Sequence, residues 1–315
     1  MGSRILITGA AGFIGAALAR RLVEDGHEVH ALLKPTTDRW RLEAVLDDLR
    51  TSPVDLTDED GLARVAAEVR PEVVYHLAAH GAYPFQTDPD AILRVNVLGT
   101  RALLKSLART DYLAFVSAGS SSEYGFKAFA MRETDTPEPN SYYAVAKCAQ
   151  TLLCQCVART DGRPINVLRI FSAYGPWEEP SRLVPTLIRR CLDGDELHLV
   201  SPETGRDFVY VDDVVDAFLR VEALSRLQGE VINVGTGVQA TVRDVVDAVL
   251  HHTGANVACQ WGAMKPRIWD SSVWVADCSK ARTLLGWQAR TPLSDGLART
   301  VAWTRASRAV AGGAA

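Results

Sequence analysis

No run of apolar residues in this 315-residue chain approaches the roughly 20 that a membrane-spanning helix needs, so a bilayer span is not expected. Cysteine is sparse: Cys148, Cys154, Cys156, Cys191, Cys259 and Cys278 form no CxxC pair and no regular framework. They read as reduced thiols rather than a disulfide scaffold. His251-His252 has no Cys or carboxylate at ligand spacing, so no metal is expected. Positive charge is not in excess. Lys and Arg number 34 against 38 Asp and Glu, giving a net charge of -4, which offers no overall field for nucleic acid or an anionic membrane. Met1-Gly2-Ser3-Arg4 runs directly into a strand without a charged-then-apolar leader, and the expectation is a cytoplasmic protein. Internal repeats and low-complexity blocks are also lacking, apart from an Ala- and Gly-rich end. What is present, 47% hydrophobic and 23% charged residues, is the composition of a folded chain with a sizeable core.

Hydrophobic periodicity switches repeatedly between two and 3.6 residues. Ile5-Leu6-Ile7 reads as a strand, Phe13 to Glu24 as a helix ending at Gly26, and Glu28 to Leu33 as a second strand. That βαβ unit predicts a parallel sheet with right-handed crossovers. Further strands are predicted at Val73–Ala78, Tyr112–Ser117, Ile165–Phe171 and Val231–Val234, with helices at Ala91–Leu107 and Tyr143–Ala158. The expected fold class is α/β, a doubly wound parallel sheet (a Rossmann fold) with a smaller C-terminal α/β substrate lobe. Residues 1–176 and 206–235 are assigned to the dinucleotide-binding domain. Residues 177–205 and 236–305 are assigned to the second lobe, and 306–315 to a flexible tail.

Thr8-Gly9-Ala10-Ala11-Gly12-Phe13-Ile14-Gly15 joins the first strand to the first helix. Gly9 permits a tight turn, Gly12 close approach of the backbone to a pyrophosphate, and Gly15 close packing of helix on strand. The helix start at Phe13 and Ile14 then offers N–H groups and a partial positive charge to the phosphates. A glycine turn without ligand is the bland alternative; the flanking strand and helix make dinucleotide binding the stronger reading. At the end of the second strand, where an acid grips the ribose of NAD, stands Lys34, with Arg39 close behind and no acid before Asp38. A cation there suits the 2′-phosphate of NADP, although a solvated lysine is common at a strand end. Asp55 and Leu56 follow the third strand, where the Asp could bond an adenine or cap a helix.

Tyr143 and Lys147 are four residues apart on a predicted helix and share one face, whereas Tyr142 points elsewhere. An ammonium beside a phenol stabilises the phenolate, making the tyrosine a proton donor and acceptor near neutrality. Alone the pattern is weak. Its company is Ser117-Ala118-Gly119-Ser120-Ser121-Ser122-Glu123-Tyr124-Gly125, whose hydroxyls follow a strand and fall where ligands bind in open α/β sheets.

With these motifs the chain resembles the extended short-chain dehydrogenases/reductases of the nucleotide-sugar epimerase, dehydratase and reductase group. The matching strings are TGAAGFIG at 8–15, HLAA at 76–79, RVNVLGT containing Asn96, the serine loop, YYAVAK, RIFSAYGP at 169–176, RDFVYVDD at 206–213, NVGTG at 233–237 and LLGW at 284–287. The resemblance implies Ser120 as the catalytic serine, Tyr143 as the acid/base, and Lys147 as the residue that holds the nicotinamide ribose and tunes Tyr143. It implies that Leu77, Ala78, Ala79 and Asn96 line the cofactor. It also implies that Arg206, with Arg267 as a second, meets a substrate diphosphate, a task suited to a planar guanidinium. For Arg206 the alternative is a surface ion pair with Asp212 or Asp213. His80, Ser121, Ser122 and Ser172 are expected at the sugar.

Departures from the family pattern narrow the expectation. Dehydratases of the group follow the catalytic Thr with Asp-Glu; here Ser121-Ser122 stand instead and Glu123 comes one place later, which argues against elimination of water. The GSSSEYG loop and the basic strand end are similar to those of reductases of 4-keto-6-deoxyhexose nucleotides. The expected function is therefore NADPH-dependent C4 ketone reduction. The alternatives are a 4-epimerase holding NAD tightly and, further off, a non-catalytic dinucleotide sensor. A homodimer through two long helices, one bearing Tyr143, is a further family expectation.

Overall fold

The computed structural model describes residues 2–83, 85–264 and 273–312. β1 (Arg4–Thr8), α1 (Phe13–Glu24) and β2 (Glu28–Leu32) form the expected first unit, followed by β3 (Arg50–Ser52), α2 (Glu59–Val69) and β4 (Val73–His76). Next come α3 (Pro89–Leu93), a π-helical turn over Arg94–Gly99, and α4 (Thr100–Ser106). β5 (Ala114–Ser120), α5 (Tyr142–Asp161) and β6 (Ile165–Ile170) complete the central part, and β11 (Val231–Val234) returns to it late in the chain.

These seven strands make one sheet in the order β11-β6-β5-β4-β1-β2-β3, every pair parallel. Burial on both faces explains the unbroken apolar runs: Ile5, Leu6 and Ile7 are all buried, as are all of β4 and β6. One face packs on α1 and α10 (Ser279–Leu285), the other on α2, α4 and α5. The strand order reverses at β1, which pairs with both β2 and β4. Beyond the carboxyl ends of β1 and β4 lies the crevice where doubly wound sheets bind ligands.

Several boundaries differ from the sequence reading for physical reasons. β4 stops at His76, so the Leu77–Ala79 segment is free to lie across the crevice. β5 extends to Ser120, since its later residues pair with Leu168, Arg169 and Ile170. The helix predicted over 91–107 is interrupted by the π turn, a common device for turning a side chain into a site.

The second lobe is built from α6 (Leu183–Asp193), α9 (Val242–Thr253) and α11 (Leu293–Gly312) with short two-stranded pieces. Its apolar cluster also takes Tyr174, Phe208 and Tyr210, from stretches the sequence places with the nucleotide domain. α11 continues to Gly312, past the point where the Ala- and Gly-rich composition predicts fraying. Among the described residues no helix is long and apolar enough to cross a membrane.

Candidate active site

Gly9 is held at φ +73°, and a Cβ there would stand 2.5 Å from the Ala78 nitrogen. The loop therefore lies directly against Leu77 and Ala78, with Ala79 exposed just beyond. Gly15 is equally tight: a side chain would meet the Gly9 carbonyl oxygen at 2.1 Å. No side chain caps the start of α1 and no acid occupies its first turn, so the N–H groups from Phe13 onward are left for an anion. These residues fit the pyrophosphate of a dinucleotide.

Behind the loop is a buried relay that the sequence reading missed. The Thr8 hydroxyl and His76 Nδ1 are 2.7 Å apart, and His76 Nε2 and Thr100 Oγ1 are 2.8 Å apart. Thr100 donates its own proton to the Asn96 carbonyl at 2.6 Å, so it accepts from His76 Nε2–H, and Nδ1 accepts from Thr8. Burial pushes the His76 pKa down to about 3, keeping the ring neutral. Asn96, at 0% exposure, accepts from the His80 N–H at 2.9 Å and donates to the His80 carbonyl at 2.7 Å. Its amide is thus occupied at both ends. It holds the 77–81 segment in place beside the crevice.

At the carboxyl end of β2, Lys34 is 60% exposed, with its Nζ 3.8 Å from an Asp55 oxygen. Asp55 accepts from both the N–H and the hydroxyl of Thr57, at 2.9 and 2.8 Å. The helix cap is Asp58, which accepts from Gly61, not Asp55. Burial raises the Asp55 pKa, but the Thr57 bonds and the Lys34 charge outweigh it and hold the carboxyl below its ordinary value. Leu56 packs into the core beside α2.

The serine loop begins as β5 ends. Ser120 Oγ and Ser122 Oγ are 2.8 Å apart, and Ser120 leans on the phenol of Tyr143. Ser121 is buried and accepts from the Trp274 indole N–H at 3.1 Å, so it ties the loop to the second lobe. The loop is held from beneath by Glu123, fully buried, whose Oε1 accepts from the Ser120 N–H at 2.8 Å. Glu123 Oε2 takes Arg169 Nη2 at 2.8 Å, Arg169 Nε at 3.1 Å and the Thr151 hydroxyl at 2.8 Å. A carboxylate so engaged is a structural brace and is unavailable as an elimination base.

Lys147 is 2% exposed and donates to the Ala118 carbonyl at 2.5 Å and to Gln150 Oε1 at 2.8 Å. Burial pulls its pKa down to about 8, opposed by Glu123. The Tyr143 pKa answers to several groups at once. Burial raises that pKa, Ser120 and the Arg182 charge pull it back, and Glu123 and Tyr83 add to the rise.

Arg182 was not singled out from the sequence. The loop after Gly175 is fixed by Trp177, which sits at φ 70° between Trp40 and Trp303, at ring distances of 5.6 and 5.0 Å. Arg41 donates to the Trp177 carbonyl at 2.7 Å and to Glu179 at 3.1 Å. Such a backbone persists only where its surroundings over-determine it. On this loop, burial pushes the Glu178 carboxyl up to about 8, and its Oε2 is buried without a partner among the described residues. The density of Trp, Glu and Arg in PWEEPSR was the available signal.

Ser172 lies half-buried on β7 (Ser172–Tyr174), its N–H donating to the Asp207 carbonyl at 3.0 Å. Arg206 donates to the Gly205 carbonyl at 2.7 Å and rests over the Trp274 ring at 5.3 Å. Arg267 lies outside the described residues.

The model of the NAD dependent epimerase/dehydratase family matches residues 5–235. The chain belongs to that family. It is 33% identical over 313 residues to the UDP-glucose 4-epimerase of Mycolicibacterium smegmatis, covering 96% of this chain and 98% of that one. The solved UDP-glucose 4-epimerase of Thermotoga maritima, with UDP-glucose, superposes with a TM-score of 0.89 at 30% identity, over 96% of this chain and 99% of the other. MoeE5, solved with UDP-glucuronic acid and NAD, gives a TM-score of 0.85 at 35% identity with the same coverage. As a member of the epimerase/dehydratase family the protein is an enzyme of the nucleotide-sugar oxidoreductase and epimerase type.

Proposed function

We propose that this family member is an NADPH-dependent 4-ketoreductase of a nucleotide-linked 4-keto-6-deoxyhexose. The observation that carries the reading is Lys34, exposed at the carboxyl end of β2 with no carboxylate from Leu33 to Thr37. Asp38, the next acid, accepts from the Trp40 N–H at 3.1 Å. Lys34 meets Asp55 only at 3.8 Å and stays exposed, and a cation at this strand end suits a ribose 2′-phosphate. The loop at Gly9, Gly12 and Gly15, with the start of α1, holds the pyrophosphate, and Lys147 the nicotinamide ribose. When bound, the dinucleotide supplies the hydride for C4 of the sugar. Tyr143 gives its phenolic proton to the oxygen formed at C4, and Ser120 donates to that oxygen as charge develops. Arg182 supplies the positive charge that the phenolate needs once the proton has left. Arg206 and Ser172 stand on the substrate side, with Ser121 and Ser122 shaping the serine loop.

Lys34→Asp tests the cofactor assignment. It is expected to lower the NADPH-to-NADH affinity ratio about tenfold or more, because an anion replaces a cation at the phosphate. Fluorescence titration of both cofactors reads the ratio, and an unchanged ratio rejects the assignment.

A second reading, 4-epimerisation with retained NAD, is favoured by the NAD-bound neighbour and the epimerase relatives. The same Ser120, Tyr143 and Lys147 serve it. Denaturing the purified protein and identifying what is released separates the two: near-stoichiometric NAD indicates the epimerase.

The protein is further proposed to dimerise through α5 and the neighbouring π turn, which pack together and present Leu98 at 56% and Leu152 at 62% exposure. Leu98→Glu with Leu152→Glu is expected to convert a dimer to a monomer in light scattering; a wild-type monomer refutes the proposal.

A further inference from the structure

We infer that Gln150 is the positioning residue for Lys147, holding its ammonium charged and aimed; the inference rests on the proposed role of Lys147 at the cofactor. The two residues are three apart on α5 and share its buried face, at 1% and 2% exposure. Gln150 Oε1 accepts from Lys147 Nζ at 2.8 Å, and Gln150 Nε2 donates to Ser117 Oγ at 2.8 Å. The amide has one orientation only. An ammonium carries donors alone, so the carbonyl oxygen faces it and the NH2 faces the serine. Ser117 is itself fully buried on β5, so the bracket runs from the central sheet through Gln150 to the lysine. Of the three N–H groups of Lys147, Ala118 and Gln150 take two, and the third remains for a ligand hydroxyl.

Few charges support this ammonium. Glu123, from the turn after β5, favours it and is itself paired with Arg169. Cys154, on α5, faces it as a thiol, with its own pKa pushed up to about 12 by burial. His76 of β4 faces it as a neutral ring. Desolvation leaves Lys147 with a pKa of about 8, so the loss of one neutral acceptor matters at working pH. The Tyr-x-x-x-Lys pattern names only the lysine; its side-chain acceptor comes from a residue one turn on.

The test is the pH dependence of NADPH and NADH affinity, measured by fluorescence between pH 6 and 10 in the wild type, Gln150→Leu and Gln150→Glu. Wild-type affinity is expected to weaken above about pH 8 as Lys147 loses its proton. Gln150→Leu removes the acceptor and moves that fall down by about one pH unit, which makes binding several-fold to tenfold weaker at pH 8. Gln150→Glu adds an anion and moves it up by a similar amount. A merely structural residue would weaken binding in both variants at every pH and leave the midpoint in place. Midpoints that coincide with the wild type, or shift in the same direction, overturn the inference. If Gln150→Leu fails to fold, the upward shift in Gln150→Glu carries the test alone. The titration needs no sugar, so an error in the substrate assignment leaves it readable. A pH-independent wild-type affinity would instead remove Lys147 from the cofactor and the inference with it.

Discussion

Tyr143→Phe is expected to lower kcat by about a thousandfold, within the 10²–10⁴ that a positioned general acid contributes, while NADPH affinity changes less than about threefold. Two separately placed groups act on the phenol, Ser120 from the end of β5 and the charge of Arg182 just before α6, while burial raises its pKa. Phe keeps the ring and its packing and deletes the hydroxyl with its proton. In the proposed reaction, hydride transfer to the C4 ketone would then leave an alkoxide with Ser120 as its donor. Stopped-flow loss of NADPH absorbance with a 4-keto-6-deoxyhexose nucleotide measures the step. Turnover near the wild-type rate would remove Tyr143 from the chemistry. Weakened cofactor binding with unchanged turnover would recast it as a binding residue.

Arg169→Met is expected to cost about 3–5 kcal/mol of stability, the range for removing one partner of a buried ion pair. Glu123 is at 0% and Arg169 at 3% exposure, and the pair joins the serine turn to β6 through two guanidinium bonds to one oxygen. Without Arg169 the buried carboxylate keeps only Thr151 and the Ser120 N–H. Glu123→Gln with Arg169→Met should recover much of the loss, because it removes the uncompensated charge as well. Urea unfolding of the two variants against wild type reads the difference. A cost below about 1 kcal/mol for Arg169→Met would show that the pair is not a brace for the serine loop.

Most of the nucleotide half was legible before any coordinates. β1, α1 and β2 carry their own periodicity, and the glycines between them answer to contacts inside that one unit, such as Gly15 against Gly9. Likewise Tyr143 and Lys147 fall on one helix, where spacing alone fixes their shared face. The π turn at Arg94–Gly99 was not legible, because its six residues continue the apolar pattern of the helices on either side. Nor was the engagement of Asn96 with His80, 16 residues upstream across a loop.

The sequence by itself determined the parallel sheet and the family, and it singled out the glycine loop with Ser120, Tyr143 and Lys147 as candidates. Each of these is announced by short motifs, within which backbone geometry translates spacing into position. Only the tertiary structure decided how those residues are tuned. Glu123 meets Arg169 across 46 positions, and the charge of Arg182, 39 positions on, acts on Tyr143. Gln150 turns to Lys147 because Ser117, 33 residues earlier, takes its other end. Burial sets the charge on His76, Lys147 and Glu178 more than any neighbour in sequence does. Desolvation and long-range pairing are properties of the packed interior, and local spacing does not encode them.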